Sequence, residues 1–180
     1  MQKTTFSILL IVALGLAILP ACGGGSSSSA PQPQVTTAVM TLSTAATSSI
    51  PAGTTINSYD VTVTLPSGVT VMTMPAPNSS VTDTGVVKTS GNALGGTAFG
   101  VYTAATASFP GTVKVYIYKV DPITGIGFDP GEFCKLSVTV AAGLSAPAAN
   151  FNVTLDDATG IDSTFSTVLG LHSQLTVTIK

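Results

Sequence analysis

The chain has 180 residues, 44% of them hydrophobic and only 8% charged, with a formal net charge of −2 and neither Trp nor Arg. So few charges among abundant Thr, Val, Ala and Gly point to one extracytoplasmic all-β domain behind a processing segment. Nucleic acid is excluded as a partner: phosphate binding needs clustered cations, and the six Lys are scattered.

In chain order, Lys3 precedes an apolar run from Phe6 to Leu19, which ends in Leu19-Pro20-Ala21-Cys22. A charged start, a short apolar stretch and a small residue before the cut describe a signal peptide rather than a membrane helix. Leu-x-Ala-Cys resembles the bacterial lipobox, which implies removal of residues 1–21 and acylation of Cys22, palmitate included. Several acyl chains, each contributing roughly 0.8 kcal/mol per buried CH₂, anchor a protein durably. The expected location is therefore the bacterial cell envelope, on the outer membrane or cell surface. Residues 22–34 are the lipidated Cys and a Gly/Ser/Pro linker whose twelve residues after Cys22 have a root-mean-square reach of about 20 Å.

Residues 35–180 read as strands and turns. Val35 to Leu42 is the first run, and Tyr59 to Leu65 alternates with Tyr59, Val61, Val63 and Leu65 toward a core. Pro66-Ser67-Gly68 turns the chain into Val69 to Thr73. Val86 to Thr89 and Ala98 to Ala105 follow, and a second Pro-Gly turn at Pro110-Gly111 opens Thr112 to Val120, with Val113, Val115 and Ile117 in phase. Pro130-Gly131 has the residues of a type II turn, fixed φ then positive φ. The strand it opens points Cys134, Leu136, Val138 and Val140 inward and Lys135, Ser137 and Thr139 outward. Phe151 to Leu155 and Leu175 to Ile179 complete about nine strands. Ser163 to Gly170, behind Asp162, admits a short helical turn. The expectation is an all-β sandwich.

Three passages carry a family resemblance: Ile56 to Leu65 followed by Gly68-Val-Thr-Val71; Gly111 to Ile117; and Gly125-Ile-Gly-Phe-Asp-Pro-Gly-Glu-Phe-Cys-Lys-Leu-Ser-Val-Thr-Val140. Together with Phe151 to Asp162, read as a late strand and acidic loop, they make residues 35–180 resemble the cohesin family. The resemblance implies a nine-stranded jelly-roll β-sandwich related to carbohydrate-binding modules, acting without catalysis. Its partner would be a dockerin-like protein or, on the related scaffold, a polysaccharide.

The residues themselves argue against catalysis. His172 is the only histidine and Glu132 the only glutamate, so neither a His-based metal cluster nor an opposed pair of glutamates can be assembled. Asp121, Asp129 and the Asp156-Asp157 pair read first as turn formers. No cofactor is expected; a structural Ca²⁺ would draw on Asp156, Asp157 and Asp162, because hard oxygen ligands suffice for it. Cys134 reads as a small buried hydrophobe. The binding residues singled out are Lys114, Tyr116 and Tyr118, which share the strand face opposite Val115 and Ile117 and form an aromatic platform for a partner.

Overall fold

Alternating β-branched residues build ten strands among the described residues of the computed structural model, namely 35–45, 49–121, 127–162, 164, 166–169, 171 and 175–179. They are β1 (Thr36–Thr44), β2 (Thr55–Thr64), β3 (Val69–Thr70), β4 (Val87–Thr89), β5 (Thr97–Thr103), β6 (Thr112–Tyr118), β7 (Glu132–Val140), β8 (Asn152–Ile161), β9 (Thr167–Leu169) and β10 (Leu175–Ile179). Residues 1–34, on which the signal-peptide, Cys22 and linker expectations fall, and His172 lie outside the described residues.

The strands pair antiparallel in two sheets. One has the order β10-β1-β7-β3, with β4 also on β7; the other runs β5-β6-β2-β8-β9. Met40, Leu42, Leu136 and Val138 from the first sheet share one core with Tyr59, Val61, Val63, Val113, Val115 and Ile117 from the second. The molecule is therefore a β-sandwich. Burying each such side chain contributes about 1.5–3 kcal/mol relative to leaving it exposed. Among them Tyr59 keeps its polar end satisfied: its hydroxyl hydrogen-bonds Thr44 Oγ1 at 2.9 Å, while its ring packs against Phe133 at 4.6 Å and Phe128 at 5.9 Å between centroids.

The inward sets of β2, β6 and β7 follow the alternation, and every member is buried. Gly68 takes φ +76° in the third position of a turn closed by Val69 N donating to Pro66 O at 3.1 Å. Other expectations are corrected. Gly131 has φ +146°, wider than the roughly +80° of a type II turn. The Asn92 side-chain amide holds this corner by donating to the carbonyls of Asp129 (3.2 Å) and Pro130 (3.0 Å), so the turn is braced by a distant residue. Gly111 is not in the left-handed region; it is buried, and its carbonyl accepts from Leu65 N at 2.8 Å. Within Ser163 to Gly170, Thr167–Leu169 is strand rather than helix, because it pairs with Thr159–Ile161 of β8. Asp162 Oδ1 accepts from Thr164 N, Thr164 Oγ1 and Ser166 N, making the turn between those strands. Finally, β8 continues six residues past Leu155, so Asp156 and Asp157 sit in a strand and not in a loop.

One register break between β1 and β7, and one of the two between β2 and β8, decide which residues of β7 and β8 face where. On β7, Leu42 pairs with Cys134 and Ser43 with Glu132, leaving Phe133 as an extra residue. Phe133 and Cys134 consequently both point inward, each 0% exposed. On β8, Asp60 pairs with Asp157 and Val61 with Leu155, so Asp156 is the extra residue and both aspartates are exposed.

Candidate functional site

The outer face of the second sheet gathers the polar and aromatic residues that alternation rejects from the core. Cross-strand register sets them in rows. Phe99, Tyr116, Asp60 and Asp157 lie across β5, β6, β2 and β8; Val101, Lys114, Thr62 and Thr154 form the row beside it, and Thr97, Tyr118, Ser58 and Thr159 the row on the other side. Directly opposed side chains in such rows are close enough to interact.

They do interact. The rings of Phe99 and Tyr116 stack at 4.6 Å between centroids and 15° between planes. Lys114 Nζ lies 5.5 Å from the Tyr116 ring centre and 3.7 Å from Asp156 Oδ2. That same carboxylate oxygen accepts a 2.6 Å hydrogen bond from Thr62 Oγ1, and Ser58 Oγ and Thr159 Oγ1 are 2.7 Å apart. Lys114, Tyr116 and Tyr118 lie on the face opposite the buried Val115 and Ile117: Tyr118 is 57% exposed, and Tyr116 is half-buried between its neighbours. The sequence reading missed Phe99, 50% exposed, and Asp60. A signal for each exists, since Phe99 alternates with the small residues Ala98 and Gly100, and Asp60 is out of phase with Tyr59 and Val61. Gly100 is buried where a Cβ would come within 2.8 Å of Val87 Cγ2 and 2.9 Å of Thr82 Cγ2; that close inner approach leaves Phe99 as the outward residue.

The electrostatics of this face centre on Asp60. Partial burial raises its pKa, Lys114 opposes the shift, and Asp157 and then Asp156 reinforce it. Lys114 is held above the ordinary lysine range, first by the Tyr116 oxygen and then by Asp156 and Asp60, against some loss of hydration. The three aspartates considered for Ca²⁺ are each engaged otherwise. Asp156 holds Lys114 and Thr62, Asp157 Oδ1 accepts from Ala158 N at 2.9 Å, and Asp162 closes its own turn, which lowers its pKa. Among the described residues no three His, Cys, Asp or Glu side chains converge as a metal ion requires.

Elsewhere, Glu132 pairs with Lys135 at 3.6 Å. Burial pushes the Cys134 thiol up to about 12, so it is unreactive in the folded protein. An open groove of about 630 Å³ beside Ile50, Thr54 and Pro130 offers Asp129 as the single charge on its lining. The chemistry on display is thus a patch of aromatic rings, hydroxyls and paired charges. No protein-family model, curated protein or solved structure matches this chain.

Proposed function

We propose that the protein is a lipoprotein of the cell envelope whose sandwich is a non-catalytic, cohesin-like, jelly-roll module for binding another protein. The anchor in this reading is Cys22, acylated after removal of residues 1–21. Recognition falls to the outer face of the β5-β6-β2-β8-β9 sheet. One observation carries the choice of a protein over a sugar: Phe99 already covers a face of Tyr116, stacked at 4.6 Å, and Lys114 sits against the same tyrosine. A sugar-stacking platform needs free ring faces, whereas a protein interface is served by ring edges flanked by complementary charges. A dockerin-like partner is what the family resemblance implies. Polysaccharide is the second reading, favoured by the 57% exposure of Tyr118 beside the Ser58 and Thr159 hydroxyls.

The test is a comparison of the wild type with Phe99→Ser/Tyr118→Ser, both immobilised, against solubilised envelope proteins and against insoluble polysaccharide. The expected result is loss of a protein partner by about thirtyfold or more in affinity, equivalent to about 2 kcal/mol, with an unchanged melting curve. Loss confined to polysaccharide would replace the first reading with the second. For the anchor, intact mass should report acyl chains on Cys22, and Cys22→Ser should release the protein from the membrane fraction.

A further inference from the structure

The two ends of the sandwich differ in charge. At one end lie the connections β2–β3 (65–68), β5–β6 (104–111) and β7–β8 (141–151), and their sequences, Leu-Pro-Ser-Gly, Ala-Ala-Thr-Ala-Ser-Phe-Pro-Gly and Ala-Ala-Gly-Leu-Ser-Ala-Pro-Ala-Ala-Asn-Phe, contain no charged residue. They form one surface. Leu65 N donates to Gly111 O at 2.8 Å, and Ala141 N donates to Gly68 O at 2.8 Å, so the β2–β3 connection is bonded to both neighbouring loops. Leu144 lies against that turn so closely that a Cβ on Gly68 would collide with its Cδ1. Phe109 and the same turn border an open groove of about 340 Å³. Phe109 is 72% exposed and Leu144 53%. The opposite end carries Lys119, Asp121, Asp129 and Asp162 in its connections.

The linker joins the domain at the uncharged end. Thr36, the first residue of β1, pairs with Val140, the last of β7, and Val140 pairs with Val69 at the start of β3. Val35, immediately before it, is 62% exposed. A chain anchored at Cys22 therefore enters the sandwich at the same end as Phe109 and Leu144. On that reading only the residues from Gly23 to Gln34 separate the anchor from this end, so a weak apolar patch suffices for contact.

We infer that the Phe109–Leu144 end of the sandwich docks on the lipid surface as a second membrane contact. The inference rests on the lipoprotein reading. Two apolar side chains on loops without charges can enter the boundary between headgroups and acyl chains without carrying an ion along. The strands are then stood roughly upright on the membrane. The aromatic face of the second sheet, which runs along the strands, stays open to a partner from the side.

The experiment uses the full, processed protein in vesicles of phosphatidylethanolamine and phosphatidylglycerol, with no other protein present. An environment-sensitive dye is attached through Ser108→Cys or, at the opposite end, Ala52→Cys. Cys134 is buried and does not compete for the label. The expected result is blue-shifted, quencher-shielded emission at position 108 and water-like emission at position 52. Phe109→Ser/Leu144→Ser should lower the docked-to-free ratio about tenfold. Leu94→Ser, which removes a leucine that is 68% exposed at the charged end, should not change it. Water-like emission at position 108 in protein whose mass shows acylated Cys22 overturns the docking and leaves the anchor standing. A mass without acyl chains overturns both.

Discussion

A bulge on β7 and a bulge on β8 do opposite things. The β7 bulge turns two consecutive residues inward, and Phe133 and Cys134 join the core at 0% exposure. The β8 bulge turns two consecutive residues outward and delivers Asp156 and Asp157 to the outer face of the second sheet. An extra residue breaks the alternation in both cases, and the chemistry of the pair matches the side it lands on. The inward bulge supplies packing and the outward one supplies charge. Their energetic consequences should differ accordingly.

The largest contrast comes from truncating the inward pair. Phe133→Ala should cost about 3–5 kcal/mol, because its ring is fully buried against Tyr59 and its removal leaves a cavity in the core. Denaturant melts measure it, and a cost below about 1 kcal/mol would mean that Phe133 does not pack in the core. On the same strand Leu136→Ala should cost about 2–5 kcal/mol, with Ser137→Ala within about 0.5 kcal/mol of the wild type. Equal effects at 136 and 137 would place the register one residue away.

Next in size is a pH effect confined to the inward bulge. Burial raises Cys134 from 9.0 to about 12 in the folded state, so between those values the folded chain keeps a proton that the unfolded chain releases. Stability from this group is complete below pH 9 and is lost as pH rises toward 12, at up to about 1.4 kcal/mol per pH unit. Melts of the wild type and Cys134→Ala across that range should show the steeper decline in the wild type. Parallel declines would show that the thiol is not buried as described.

The outward bulge should yield the smallest effects. Asp156→Ala removes a 3.7 Å surface ion pair and one hydrogen bond, and its cost should stay within about 1 kcal/mol. Asp157→Asn should lower the titration midpoint of Asp60, because it removes one of the two carboxylates that push that pKa up after burial. Carboxyl-carbon NMR follows Asp60 directly. An unchanged midpoint would show that the two side chains do not sense each other across β2 and β8.

The all-β class and most strand positions were legible in the sequence, because alternation of large apolar residues with Thr, Ser and Lys has only one low-energy reading when a single face meets the core. The inward sets of β2, β6 and β7 followed from that alone, and so did the outward placing of Lys114, Tyr116 and Tyr118. Alternation is silent about a bulge, however, since an inserted residue leaves the local composition unchanged and is defined only by its partner strand. The positions of Phe133, Asp156 and Asp157 therefore waited for the pairing of β7 with β1 and of β8 with β2. The same holds for Asn92 bracing Asp129 and Pro130 from 37 and 38 residues away. It holds too for Phe99, which joins Tyr116 on the outer face of the second sheet only when β5 lies beside β6. Side-chain periodicity is a local property that each strand carries by itself. Which strands are neighbours, and in what register, depends on distant segments satisfying one another's backbone groups while sharing one core, and that was decided only by the tertiary structure.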